Sequence, residues 1–253
     1  MGLVWILPIT ALSSIQDLPH FYDADSSREN DSSFQTLINH LAILDEPVSR
    51  EGTGVIIAQA PGERYRLQFR LIARGPEACR LEIFDPFGRP MLYLVSYLGE
   101  SHLFSVAQKR EIPFKQSLFE PWPTMAQIPV VEMLKLFWGR VPLLSYDSHQ
   151  IDINKKEGEK TVKLILFGPV RQVLWITQEP FTLIKSQIIN LSKDEDVEIV
   201  FSDFSEVAGN RTPMRFEIKD GTGGNMLTIR YETLVLRPDI SDEIFKLSRL
   251  SDS

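Results

Sequence analysis

From Tyr65 onward, apolar and polar side chains alternate along much of the chain. Tyr65, Leu67, Phe69 and Leu71 fall on one side and Arg66, Gln68 and Arg70 on the other, the period of a half-buried strand with one wet face. Similar runs follow at Arg80 to Phe84, Met91 to Tyr97, His102 to Ala107, Thr161 to Phe167, Val173 to Thr177, Thr182 to Leu191, Val197 to Phe201, Met214 to Lys219 and Met226 to Leu236, bounded by Gly, Pro, Asp or Asn. Short turns join most of them, so neighbouring strands are expected to pair antiparallel. Roughly ten strands exceed what one flat sheet accommodates comfortably, and the sheet is expected to curl toward a barrel.

Three stretches change to helical spacing. Phe34, Leu37, Ile38, Leu41 and Leu44 recur behind a Ser cap and stop before Pro47, which predicts an amphipathic helix. Pro129 to Trp138 carries Val130, Val131, Leu134, Phe137 and Trp138 on one stripe and ends at Gly139, while Ser241 to Leu247 has an acidic first turn. The expected class is mainly β (α+β), a curved antiparallel sheet with a few short helices.

Composition fits one ordinary globular unit, with 43% apolar and 24% charged residues in a chain of 253. Residues 1–14 hold an apolar run, Leu3 to Leu12, too short to span a bilayer and followed by small residues; it resembles the end of a secretory signal, although no basic residue precedes it. Residues 15–33 read as a flexible linker, polar from Asp23 to Ser33, and 34–249 as a single domain. A net charge of −7 is the wrong sign for a phosphate-tracking surface, so no nucleic-acid partner is expected. The single cysteine, Cys79, excludes an internal disulfide and reads as a small strand residue.

The sequence holds few groupings suited to catalysis or metal binding. His20, His40, His102 and His149 are scattered, with no spacing that aims two imidazoles at one metal. Gly99-Glu100-Ser101-His102-Leu103 lacks the second glycine of a nucleophile elbow and reads as a hairpin turn. Gly221-Thr222-Gly223-Gly224 has no following Lys, and Lys193-Asp194-Glu195-Asp196 lacks the spaced ligands of a calcium loop. The expectation is a non-enzymatic protein without cofactor or metal.

Two segments stand out. Asp85-Pro86-Phe87-Gly88 places turn formers around one large aromatic, where a structural turn prefers a polar residue. Phe87 is either an apolar knob with a partner or a side chain folded back on Phe84. Phe119 to Pro129 is a proline-rich connection into the apolar helix Val130 to Trp138; this helix is either a lid over the mouth of the curled sheet or an ordinary core helix.

Together these segments resemble the LolA/LolB-like lipoprotein-localisation superfamily, and LolB-like outer-membrane receptors in particular. The resemblance rests on Arg64-Tyr65-Arg66-Leu67, on Arg80-Leu81 followed by Asp85-Pro86-Phe87-Gly88, and on Ile128-Pro129 leading to Leu134, Gly139 and Pro142. Leu227 to Glu232 followed by Ile240 to Phe245 is similar to the family's last strand and final helix. It implies an unclosed antiparallel barrel covered by helices, whose hollow takes acyl chains of lipoproteins or similar lipids for delivery to the outer membrane. The implied setting is the cell envelope, in the periplasm or at the inner face of the outer membrane, with a soluble LolA-like carrier as a partner. The family's protruding apolar loop residue falls on Phe87. LolB-type receptors are lipid-anchored through an N-terminal Cys that this sequence does not supply.

On that reading Leu67, Phe69, Leu71, Leu81, Ile83, Leu164, Leu166, Phe216, Ile229 and Tyr231 line the cavity, and Val130, Leu134, Phe137 and Trp138 form the lid. Arg74 and Arg80, flanking Gly75-Pro76, are either exposed strand-end charges or hold the lid through its carbonyls, a task suited to a forked guanidinium. The competing reading is a structural or adaptor β-domain of an envelope complex, with a solid interior and no lipid cargo.

Overall fold

The computed structural model describes residues 33–39, 41, 49–113, 128–156, 159–207 and 209–246. The signal-like segment, the linker up to residue 32, the first helix beyond residue 41 and the connection from Phe119 to Gln127 lie outside the described residues.

Thirteen strands form one sheet: β1 (Ser49–Ala60), β2 (Glu63–Arg74), β3 (Cys79–Phe84), β4 (Pro90–Tyr97), β5 (Glu100–Ser105), β6 (Arg110–Glu111), β7 (Ser148–Lys156), β8 (Glu159–Phe167), β9 (Arg171–Gln178), β10 (Phe181–Asn190), β11 (Glu195–Val207), β12 (Asn210–Asp220) and β13 (Met226–Leu236). Their spatial order is β6-β5-β4-β3-β2-β1-β13-β12-β11-β10-β9-β8-β7, every neighbour antiparallel. The chain starts in the middle, walks to one edge, crosses to the other edge and returns to pair β13 with β1. Because β6 and β7 do not pair, the sheet is open.

Register explains which side is greasy. Leu67, Ile56, Ile229, Phe216 and Phe201 are successive cross-strand partners in one row, and Leu71, Leu81, Leu94 and Leu103 in another. Leu174, Leu164 and Ile151 carry a further row out to the β7 edge. A period of two sends these side chains to one face, and a flat sheet with twelve strand spacings would extend about 58 Å. The sheet instead curls around a short helix, α2 (Val130–Leu134), and the 3₁₀ turn Lys135–Trp138 that continues it, with which these rows form one core. Helical residues 33–39 (α1) add Phe34 and Leu37 to that core, with the Phe34 ring stacked on His149 at 3.6 Å between centroids.

A second, smaller core lies on the opposite face. Ile72, Ala78, Tyr93 and Val95 are covered there by Ile240 and Phe245 of the C-terminal segment, whose 3₁₀ turn Asp242–Phe245 is capped by Ser241. The expected helix from Ser241 is thus a single 3₁₀ turn within the described residues.

Strand β1 escapes the alternation rule for a packing reason. Its inward positions before Ile56 are Arg50, Gly52 and Gly54, which add no aliphatic side chain. A methyl group at Gly52 would stand 2.8 Å from Tyr231 Cε1, and one at Gly54 would stand 2.7 Å from Phe69 Cε1. The glycines are where two inward aromatic rings need the volume.

Candidate functional site

The ten residues expected to line a cavity share the concave face. Leu67 is half-buried and the other nine are buried. The segment expected to be a lid belongs to the same core and meets Phe69, Phe216 and Tyr231 directly. Met133, Leu134, Leu136, Phe137 and Trp138 are buried in the same cluster, with Val130 packed at its margin. Phe137 sits edge-on to Phe69 at 5.8 Å and to Phe216 at 5.5 Å, and Phe69 is edge-on to Tyr231 at 5.3 Å. In this conformation the helix is therefore inside the concavity, as a plug.

Two features hold the plug. The Tyr231 hydroxyl donates to the Phe137 carbonyl at 3.0 Å, and burial pushes the Tyr231 pKa above its ordinary value, so the phenol stays a donor. Directly after Trp138, Gly139 takes a left-handed conformation and closes the turn by donating its N–H to the Leu136 carbonyl at 3.0 Å. Trp138 is covered by the guanidinium of Arg50, 5.3 Å from the ring centroid.

Arg50 is the feature that sequence reading missed. It is 8% exposed, and its Nε and Nη1 are buried without a hydrogen-bond partner. Burial pulls its pKa below the ordinary value, partly opposed by neighbouring Tyr231. The signal was present in the parity: Arg50 is four residues before Gly54 and six before Ile56, hence on the inward side of β1. An arginine at a strand start reads as solvent-facing until the partner strands fix that side as the interior.

Arg74 and Arg80 are a correction. Both face the opposite side of the sheet from α2 and hold the C-terminal segment instead. Arg74 is ion-paired with Asp242 and lies 5.5 Å from the Phe245 ring centroid. Arg80 donates to Glu82 at 2.7 Å and to the Ile244 carbonyl at 3.2 Å. The reason is again the period of two: Leu71, Ala73, Cys79 and Leu81 point inward, so Arg74 and Arg80 point outward.

Asp85-Pro86-Phe87-Gly88 forms the tip between β3 and β4. The Asp85 carboxylate accepts the Phe87 N–H at 2.8 Å, the Arg89 N–H at 2.9 Å and the Arg89 side chain at 2.6 Å. The backbone N–H of Arg89 leads in holding the Asp85 pKa low; burial opposes it, and the Arg89 side chain, the Phe87 N–H and the Arg89 charge add to the lowering. Gly88 adopts φ 78°, which a side chain would resist. This wiring leaves Phe87 83% exposed, with Arg89 over its ring at 5.4 Å, rather than folded back into the core.

Cys79 is buried, and burial drives its thiol pKa far up, so it is an inert core residue. Among the described residues, no helix is long and apolar enough to cross a membrane.

No family model matches the chain, and no curated protein does. Solved structures do. A LolA superfamily protein from Nitrosomonas europaea superposes with a TM-score of 0.61 at 17% identity, covering 85% of this chain and 98% of that one. A DUF1329 family protein from Desulfovibrio piger gives 0.63 at 16% identity, covering 87% and 98%. A putative outer membrane lipoprotein-sorting protein domain from Vibrio parahaemolyticus gives 0.61 at 12% identity, covering 89% and 99%. The chain has the LolA-like fold. These likenesses do not single out a LolB-type receptor.

Proposed function

We propose that this protein is a non-catalytic carrier or acceptor of acyl chains in the cell envelope, and that its concave face binds them after the plug from Val130 to Trp138 withdraws. The observation that carries the reading is the pairing of a continuous apolar concavity with a short plug that enters it from the crossing between the two sheet edges. Chain entry needs no catalytic group, because each buried methylene contributes on the order of 0.8 kcal/mol before ordering and displacement costs.

Phe87, at the tip between β3 and β4, is the residue that touches a membrane or a donor during hand-over. The cargo is the acyl portion of a lipoprotein or a similar lipid, and delivery is to the outer membrane, with a soluble LolA-like carrier as a donor. The lipoprotein-sorting description of the Vibrio structure supports this assignment, as does the LolA-like fold.

The structural or adaptor reading is favoured by one observation, the tight packing of Leu136 and Phe137 against the sheet. Displacement of a fluorescent fatty acid from the protein separates the two. The carrier reading requires saturable, competable binding; an adaptor with a permanently filled interior gives none.

A further inference from the structure

Among the described residues, the buried charged side chains are Arg50 and Glu82. Glu82 lies on the outer face and is satisfied by Arg80. Arg50 alone of the two points into the concave side, and two of its three guanidinium nitrogens are buried without a hydrogen-bond acceptor. Its strand neighbour Glu51 belongs to the opposite face, where it is paired with Arg70 and Arg237. The residues directly across from Arg50 are Ala73 and Leu236, and the next partners in the same row are Cys79 and Ser96. None of these is an anion.

A buried guanidinium without acceptors is costly. In the plugged conformation its compensation is the face of Trp138, a weak substitute for a carboxylate or phosphate. Trp138 is part of the plug itself. Withdrawal of the plug therefore removes that compensation and leaves a forked cation at one end of an otherwise apolar trough.

We propose that Arg50 is an anion-binding residue at the end of the acyl site, so that the preferred ligand is an amphiphile whose acyl chain bears a carboxylate or a phosphate rather than a neutral glyceride. This rests on the acyl-binding reading above and narrows its ligand class. The geometry suits such a molecule. From Arg50 to Ala58 the inward side of β1 runs about 26 Å, enough for a long chain to lie over Ile56 and its row partners Leu67, Ile229 and Phe216 while its head remains at the arginine. The planar fork of arginine matches either oxyanion through two parallel hydrogen bonds. Anion and plug then compete for one side chain: Arg50 meets Trp138 when the trough is plugged and the ligand head when it is filled.

The test titrates the full chain with palmitate, hexadecyl phosphate and the neutral monopalmitin, with inorganic phosphate as a head without a chain. The proposal requires palmitate or hexadecyl phosphate to bind about tenfold or more tighter than monopalmitin; which of the two is favoured identifies the head. Inorganic phosphate alone is expected to bind negligibly. Arg50→Met, which keeps most of the side-chain volume, should bring the charged ligands to the same affinity as monopalmitin, and Arg50→Lys should retain part of the preference. Equal binding of charged and neutral ligands by the natural protein overturns the Arg50 assignment without touching the acyl reading, and needs no variant to fold. Failure of all three amphiphiles to bind overturns the acyl reading itself. A charge preference that survives in folded Arg50→Met also sinks the assignment.

Discussion

Replacing Tyr231 by Phe removes one hydroxyl and nothing else. That hydroxyl is buried and donates to the Phe137 carbonyl at 3.0 Å, tying the plug to β13. A neutral hydrogen bond of this kind contributes about 0.5–1.5 kcal/mol net, and leaving the carbonyl without its partner brings the loss to about 1–3 kcal/mol. On the proposed mechanism the plugged conformation carries this bond and the ligand-competent one does not, so the variant is expected to shift the balance toward the open form. Apparent affinity scales with the competent fraction, and a shift of about 1–2 kcal/mol tightens acyl binding about 5- to 30-fold. The bond is also lost on unfolding, so the melting temperature falls by about 2–4 °C for each kcal/mol. Titrating Tyr231→Phe and the natural protein with a fluorescent fatty acid, alongside thermal unfolding, reads both quantities. Lower stability with unchanged or weaker binding would refute the gating role and leave Tyr231 as a core residue only.

Phe87→Glu is expected to leave thermal stability nearly unchanged, since the ring is 83% exposed, while abolishing lipid transfer to acceptor vesicles; persistent transfer in the assay removes Phe87 from the mechanism. Gly54→Val places a side chain against the Phe69 ring and the Arg230 backbone, and urea unfolding should show a loss of about 1–3 kcal/mol or more. Stability should also respond to acid through Glu51. Burial raises its pKa, but the hydrogen bonds and charges of Arg70 and Arg237 outweigh this and hold it below the ordinary 4.5. The stabilisation is complete above that ordinary value and is lost as pH falls through the depressed one, so the urea midpoint should fall below about pH 4.5 and Glu51→Gln should flatten that limb; an unaltered limb in the variant would assign it to other carboxylates.

Strands with apolar residues at every second position were legible in the sequence, among them β2, β8 and β13. Those that were not are β1, whose inward glycines make room for Tyr231 and Phe69; the two-residue β6; and the edge strand β7, whose inward row offers only Ile151 and Ile153 beside the polar His149. The plug was legible as an apolar helix because Leu134, Phe137 and Trp138 recur on one stripe, but its seat inside the concavity depends on strands far apart in sequence. Phe87 stood out because an aromatic in a turn breaks a local rule, and Asp85 explains how the turn keeps it exposed. The lid contact offered as one reading of Arg74 and Arg80 fails because adjacency to a turn says nothing of which face a strand residue takes. Only the register, by placing Ala73 and Cys79 inward, sends both outward. Arg50 was invisible for the same reason, with the opposite outcome.

On the proposed mechanism hydrocarbon replaces the plug on the concave face, and intermolecular nuclear Overhauser contacts between labelled palmitate and the protein can observe that replacement. Contacts from the acyl chain to Leu71, Phe216 and Ile229, with loss of those between Phe137 and Phe69, are the predicted result. Retention of the Phe137 contacts at saturating palmitate, with no acyl signal on the inward residues, would contradict it.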